Sequence, residues 1–343
     1  MLDQLRIAVV GASGAVGREA ISILRERGVP AAKITLFGSS RSAGESVEYG
    51  SDRLVIRALS EESVPSCDVA LFCADADTAR EFAPIFVARG AYVIDNSSAF
   101  RLDSAVPLIV PEINTDQLHA NDSPCIIANP NCSTIIMLTA LEPIRRAFGV
   151  RSVIVSTYQA VSGAGIAAID ELRTQTRAVL DGIVIAPSVF PVSCGWNVFP
   201  HESAIDPDTG LCGEEEKMIA ESRRIWDHHN LAIVPTCVRV PVMRAHSQSI
   251  TIETDCRATV AEIEHVLRDA PGVRFCDGVA HPLATPIHAT GQDDVLVGRV
   301  REDVTSNGRR FSLWVCGDQL RKGAALNAVQ IAECLPVGAP AHV

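Results

Sequence analysis

Arg6-Ile7-Ala8-Val9-Val10-Gly11-Ala12-Ser13-Gly14-Ala15-Val16-Gly17 is the stretch that decides the fold. Arg6 to Val10 is short and apolar, which reads as a buried strand. Three glycines follow at G-x-x-G-x-x-G spacing, and a helical pattern from Ala15 to Arg27 stops at Gly28. A strand, a glycine-rich turn and a helix N-terminus together form a diphosphate site. Small residues let the backbone approach the ligand, whose negative charge meets the helix dipole. The commoner dinucleotide spacing is G-x-G-x-x-G, so the setting carries more weight here than the motif, and a merely tight turn is the competing reading.

Working outward, the second strand, Ile34-Thr35-Leu36-Phe37, ends in Gly38-Ser39-Ser40-Arg41-Ser42-Ala43-Gly44. A cofactor with a free ribose usually meets an Asp or Glu at this point. None is present, and an arginine stands among three serines, which suits a ribose 2′-phosphate and favours NADP over NAD. Further strands are expected at Arg53–Ala58, Asp68–Cys73, Tyr92–Asp95, Leu108–Val110 and Cys125–Ala128, with a helix over Thr78–Arg89. Alternating strands and helices mean a mostly parallel sheet covered on both faces. The polar clusters Gly11–Gly17, Ser39–Ser42, Asp75–Thr78, Asn96–Arg101 and Asn129–Cys132 all follow strands. In such sheets the ligand crevice lies at the carboxyl ends of the strands, so these loops should share one rim.

The last of them, Asn129-Pro130-Asn131-Cys132-Ser133-Thr134, sets a cysteine at the mouth of a helix that runs to Phe148 and stops at Gly149. Unpaired backbone N–H groups and the helix dipole there favour a thiolate nucleophile. The plainer reading is a small buried hydrophobe. Arg101 is a candidate anion binder, although a lone loop arginine is more often solvated.

After Gly149 the pattern changes. A strand is expected at Val153–Gln159, and Ser162-Gly163-Ala164-Gly165 opens a helix to about Leu180; Pro187–Ile205 is Pro-rich and irregular. A helix from Glu214 to His229 carries acids first and bases last, so Glu214 and Lys217 need no explanation beyond a charged first turn. Val238-Arg239-Val240-Pro241-Val242 alternates, turning Arg239 away from the valine face toward a cleft or solvent. His246 precedes a strand at Ile250–Thr254, and a lone histidine is usually structural. Phe311–Cys316 reads as a strand, and the helix Gly323–Leu335 can fold back onto the first domain.

Length and composition agree with two domains of an ordinary globular protein. The chain has 343 residues, 47% apolar and 21% charged, with no repeat or low-complexity linker. A net charge of -11 leaves no basic stripe, and aromatics at 5% leave no stacking platforms, so nucleic-acid binding is not expected. No apolar run approaches the roughly 20 residues of a membrane span. The N-terminus lacks a signal peptide's basic-then-apolar order. Eleven cysteines without C-x-x-C spacing argue against a disulfide framework or a structural zinc site and point to a reducing cytoplasm.

A thiol at a helix N-terminus, an NADP site, a candidate base and arginines suggest an aldehyde oxidised through a thioester. The chain resembles the aspartate-semialdehyde dehydrogenase family along nearly its whole length. The resemblance rests on Gly11–Gly17, Ser40-Arg41-Ser42-Ala43-Gly44, Asp95–Arg101, Asn129–Thr134, Ser156–Gly165, Val238–Val242 with Ala245-His246-Ser247, and Gly317–Ala325. It implies an α/β protein: a Rossmann-like dinucleotide-binding domain over 1–130, joined by a C-terminal helix at about 318–343, and an α+β catalytic and dimerisation domain over 131–317.

By the same resemblance Cys132 would be the nucleophile, His246 the acid/base that assists thiolate formation, and Gln159 the residue that orients the substrate. Arg239 would clamp the α-carboxylate, Glu214 would lie near the amino group, and Arg101, Asn131 and Lys217 would surround the phosphate. Gly11, Ser13, Gly14, Ala15, Val16, Ser39, Arg41, Ser42, Ser162, Gly163 and Gln319 would line the NADP site, with inorganic phosphate as co-substrate and no metal. The family's physiological direction reduces β-aspartyl phosphate, feeding lysine, threonine and methionine synthesis, in a homodimer or a pair of dimers.

Two stretches depart from the family pattern. Cys73-Ala74-Asp75-Ala76-Asp77 replaces a Ser-Ala-Gly sequence and sets two carboxylates near the cofactor, and Ser193-Cys194-Gly195-Trp196-Asn197 replaces a more aliphatic segment. The rival readings are an N-acetylglutamyl-phosphate reductase, which shares the Cys/His logic, and a silent cofactor-binding paralogue.

Overall fold

The computed structural model describes residues 2–120, 123–279 and 283–336. The chain forms two compact units, Met1–Asn131 with Ala324–Val343, and Cys132–Gly323. The sequence places the two crossings at 130/131 and 317/318; in the structure they fall at 131/132 and 323/324.

Among its described residues the first unit holds seven strands: β1 (Ile7–Val10), β2 (Ile34–Gly38), β3 (Ser46–Tyr49), β4 (Asp52–Ala58), β5 (Val69–Phe72), β6 (Tyr92–Asp95) and β7 (Ile126–Ala128). Their order is β3-β4-β2-β1-β5-β6-β7, and every pairing is parallel except β3 with β4. Helices α1 (Ala15–Glu26), α2 (Ala76–Ala88), α3 (Pro111–Asn114) and α9 (Leu326–Glu333) belong to this unit. Alternation along β1 feeds two cores: Ile7 and Val9 pack with α1 and α9, whereas Ala8 and Val10 pack with α2. The chain leaves β1 toward β2 on one side, while β5 flanks β1 on the other. The carboxyl ends of β1 and β5 are therefore the switch point where an open sheet forms its crevice. Leu108–Val110 is not a strand: Leu108 makes one isolated bridge to Ala128, and Pro111 starts α3 immediately.

The second unit holds a mixed sheet: β8 (Ser152–Gln159), β9 (Phe199–Pro200), β10 (Ala232–Arg239), β11 (His246–Glu253), β12 (Val273–Cys276), β13 (Val295–Glu302) and β14 (Arg310–Gly317), in the order β12-β13-β14-β11-β8-β10-β9. Its helices are α4 (Cys132–Phe148), α5 (Ile166–Leu180), α6 (Gly213–Ile225), α7 (Val260–Arg268) and α8 (Pro286–Ala289). Helices α4, α6 and α7 pack on one face of the sheet. The other face carries exposed Ile154 and Val234 beside part-buried Tyr158 and Trp314, whose rings lie 5.4 Å apart.

Three boundaries differ from the sequence reading. The strand that carries Arg239 lies upstream of Val238–Val242 and ends at Arg239. It tolerates Pro235 because β9 pairs only with its last two residues, leaving Pro235 on an otherwise open edge. His246 is the first residue of β11 rather than a loop residue ahead of it. Helix α6 stops at Ile225, short of His229. Strands β3, β12 and β13 were not expected, nor was α7. Among the described residues no helix is long and apolar enough to cross a membrane.

Candidate active site

In the first unit a cleft of about 350 Å³ opens at the switch point. It is lined by Gly11, Ser13 and Gly14 after β1, Gly38, Ser39 and Arg41 after β2, and Cys73, Ala74, Asp75 and Thr78 after β5. The glycines divide in purpose. Gly11 has φ +84°, and a Cβ there would meet the Cys73 carbonyl oxygen at 2.5 Å. A Cβ on Gly17 would meet the Gly11 carbonyl oxygen at 2.2 Å. Both are required by packing, whereas Gly14 has room and stands at the N-cap of α1 without a side-chain cap.

The uncapped N–H groups of Ala15 and Val16 are thus left for a diphosphate, which is the fit a dinucleotide needs. The Val16 side chain itself packs against the core. Ser42 is buried and donates to Ser39 O (3.2 Å), shaping the turn that presents Arg41. Asp75, which the sequence marks as a threat to an anion, is turned to another task. Its carboxylate caps α2 by accepting from the N–H groups of Asp77 (3.1 Å) and Thr78 (2.9 Å), and these bonds hold its pKa below the usual value.

The loops after β6 and β7 meet as well. Asn129 Nδ2 donates to Asn96 Oδ1 (2.9 Å), and Asn327 Nδ2 donates to Asn129 Oδ1 (2.7 Å). Arg101 is buried and donates through Nη2 to Asn96 O (2.6 Å). Asn131, also buried, closes this unit.

In the second unit the register of the sheet assembles a polar cluster. Gln159 pairs with Arg239 across β8 and β10, and Thr157 pairs with Gln248 across β8 and β11. His246 lies opposite Gly317, where a Cβ would strike Ile136 of α4 at 2.8 Å. Directly opposed residues and those two apart share a face. Gln159, Arg239, His246 and Gln248 therefore all stand on the side that α4 covers, and all are buried.

Helix α4 is fastened there by the residue after the candidate thiol. Ser133 Oγ accepts from Gln159 Nε2 (2.9 Å), and Ser133 O accepts from Gln248 Nε2 (2.8 Å). Cys132, half-buried in the first turn of α4, is thereby tied to the strands that carry Gln159 and His246. Gly323 closes over it, since a Cβ there would lie 2.9 Å from Cys132 Cβ.

His246 has one settled tautomer. The backbone N–H of Ala160 donates to Nδ1 (3.0 Å), so the neutral ring carries its proton on the buried Nε2. Burial, with Arg239 nearby, pushes its pKa down to about 3, so the ring is neutral near pH 7. A neutral imidazole in this tautomer offers a donor; its only basic nitrogen faces Ala160. The expectation that His246 takes the thiol proton therefore meets a ring set up to donate.

Glu214 is buried, not the solvated first-turn acid that charge alone suggests: it accepts from Gln159 Nε2 (2.9 Å) and pairs with Lys217 (3.3 Å). Arg239 does not reach solvent. It donates to Ala160 O (3.0 Å) and to both carboxylate oxygens of Glu202 (3.3 and 2.5 Å). Ser162 and Gln319 are hydrogen-bonded to each other, and Gln319 Oε1 accepts from Ala245 N (2.8 Å), next to His246. A Cβ on Gly163 would crowd Arg239 Nη1 and His246 Cε1, at 3.2 and 3.3 Å.

Sequence reasoning missed Ser133, Gln248, His201 and Glu202. Gln248 had a signal, two residues from His246 on one strand face. His201 and Glu202 sit in a stretch without periodicity and had none.

The geometry has counterparts. The family description "Semialdehyde dehydrogenase, NAD binding domain" matches residues 6–121, and "Semialdehyde dehydrogenase, dimerisation domain" matches residues 141–322. Aspartate-semialdehyde dehydrogenase of Synechocystis sp. is 43% identical over 98% of both chains. That of Bacillus subtilis is 46% identical over 96% of this chain and 97% of its own. The crystal structure of aspartate semialdehyde dehydrogenase II complexed with ASA from Vibrio cholerae superposes with a TM-score of 0.91, at 39% identity over 96% of this chain and 98% of that one.

Proposed function

The chain belongs to the semialdehyde dehydrogenase family, and from that premise we propose that it is an NADP-dependent aspartate-semialdehyde dehydrogenase. It interconverts L-4-aspartyl phosphate and L-aspartate 4-semialdehyde, on the route to lysine, threonine and methionine. The observation that carries this reading is the buried sheet face on which Gln159, Arg239 and His246 stand beside the first turn of α4, with Cys132 in that turn. An N-acetylglutamyl-phosphate reductase is not favoured, because relatives matched over nearly full length bear the aspartate-semialdehyde name. A silent paralogue has no use for a buried, tautomer-locked histidine in this cluster.

When bound, the nicotinamide supplies the two-electron redox chemistry. The N–H groups after Gly14, with Ser13, would hold the diphosphate, and Arg41 with the Ser39–Ser42 turn would hold the 2′-phosphate. Cys132, ionised at the N-terminus of α4, attacks the aldehyde carbon; a C–S bond forms and the carbonyl π pair moves to oxygen. His246 meets that oxyanion with Nε2–H, in a site where burial strengthens the bond. Loss of the aldehyde hydrogen with its electron pair, which an oxidised nicotinamide would accept, lets the oxyanion re-form the carbonyl and leaves the acyl group on Cys132 as a thioester. A phosphate oxygen then attacks that carbonyl and the thiolate leaves.

Arg239 binds the α-carboxylate, Glu214 the ammonium, and Gln159 orients the substrate, while Arg101, Asn131 and Lys217 receive the phosphate. Positive side chains in an otherwise acidic protein suit so anionic a substrate. Ser162, Gly163 and Gln319 complete the lining of the NADP site. The open sheet face with Ile154, Val234, Tyr158 and Trp314 pairs two copies into a homodimer, with a tetramer as a pair of these. A cysteine-rich chain without C-x-x-C spacing suits the cytoplasm.

The test is to follow NADPH formation from aspartate semialdehyde with and without phosphate. Turnover should require phosphate and fall by about 10⁴-fold or more in Cys132→Ala; activity surviving that substitution would remove the thioester mechanism.

A further inference from the structure

Arg239 is to bind the substrate's α-carboxylate through its fork, yet its donors are already committed. A guanidinium has five N–H groups. Nε and one Nη2 proton go to Glu202 (3.3 and 2.5 Å), the second Nη2 proton goes to His201 Nε2 (3.0 Å), and one Nη1 proton goes to Ala160 O (3.0 Å). Only one Nη1 proton remains, on a nitrogen that lies 3.2 Å from where a Cβ on Gly163 would be. A second carboxylate has no two-point seat on Arg239 while Glu202 holds the first.

The two partners differ in freedom. Arg239 ends a paired strand, stacks 5.3 Å above the Phe190 ring and has a side chain only 3% exposed. Glu202 sits between β9 and α6 with a side chain 22% exposed. Burial pulls its carboxyl upward, but the Arg239 ion pair holds it below the usual range, so it is a carboxylate near pH 7. His201, which can only accept from an arginine, is neutral for the same reason of burial.

We propose that Glu202 is a placeholder: its carboxylate occupies the Arg239 fork until the substrate's own carboxylate displaces it. This rests on the reading of Arg239 as the substrate's clamp. A buried guanidinium without a counter-charge is costly, so Glu202 keeps the empty site paired, and the more mobile partner yields. The exchange is also a specificity device, because an aldehyde that brings no carboxylate has nothing to put in Glu202's place.

Steady-state kinetics of Glu202→Gln test this. The variant should lower KM for aspartate semialdehyde by about three- to tenfold with kcat within about twofold, and should leave butanal, the same carbon chain without the carboxylate or amino group, unchanged in kcat/KM. Glu202→Asp, which keeps a shorter carboxylate, should fall between. An unchanged or raised KM in Glu202→Gln overturns the placeholder, and so does an equal gain for butanal, which would mean general loosening. Arg239→Lys in parallel separates the premise: it should raise KM by about tenfold or more. If it does so while Glu202→Gln has no effect, only the placeholder fails; if Arg239→Lys leaves KM unchanged, the clamp fails and the placeholder with it.

Discussion

The two candidate sites are built from different materials. The cleft of the first unit is made of backbone: a glycine at positive φ, an uncapped helix and turns held by serine. The cluster of the second unit is made of buried side chains, aligned by sheet register and closed by mutual hydrogen bonds. A backbone cradle tolerates sequence change wherever no atom intrudes and fails where one does. A side-chain network loses chemistry first and stability second.

The largest effect that sharpens this contrast is in the network. His246→Asn should lower kcat by about 10²- to 10³-fold with KM nearly kept, because one oxyanion donor is lost. It should also change the response to acid. The native ring stays neutral down to about 3, while the unfolded one takes a proton below 6.5. Its contribution is therefore intact above 6.5 and is lost as pH falls toward 3, by at most about 1.4 kcal/mol per pH unit. Urea unfolding at pH 7 and pH 5 should show a smaller acid loss in His246→Asn than in the parent; equal losses would mean the native ring is protonated.

In the cradle the order reverses. Gly11→Ala forces an L-residue into φ +84° with its Cβ against the Cys73 carbonyl, and should cost about 3 kcal/mol or more of stability. Gly14→Ala has space and an ordinary φ, so it should unfold within about 1 kcal/mol of the parent while raising the NADP constant. If both substitutions cost the same stability, the division of the glycines is wrong. The smallest effect belongs to the rim: Arg41→Asp should raise KM for NADPH by about tenfold and for NADH by much less, and equal changes would count against a 2′-phosphate seat.

These differences also explain what could be read in advance. The cradle was legible because its parts are local: strand, glycines and helix lie within one short stretch, and β2 ends visibly without a carboxylate. The thiol was legible for the same reason, standing at the start of its own helix. The network was not, because it is made by pairing across strands distant in sequence. Arg239 seemed headed for a cleft or solvent, and only the β10 register buries it against Gln159. Glu214 looked like an ordinary first-turn acid until Gln159, 55 residues away in the chain, was found to hold it. Glu202 carries no local pattern that separates it from surface polar residues, and Gln248 has only its spacing of two from His246. Even Asp75, flagged by its departure from the family, needed three dimensions to show that it caps α2.

The central claim is that Cys132, set in the first turn of α4, carries the acyl group. Intact-mass and peptide analysis after mixing with aspartate semialdehyde and NADP, phosphate withheld, tests it most directly. The account predicts one hydroxylamine-labile acyl adduct on the peptide containing Cys132, discharged on adding phosphate. An adduct on another residue, or turnover with none, would contradict it.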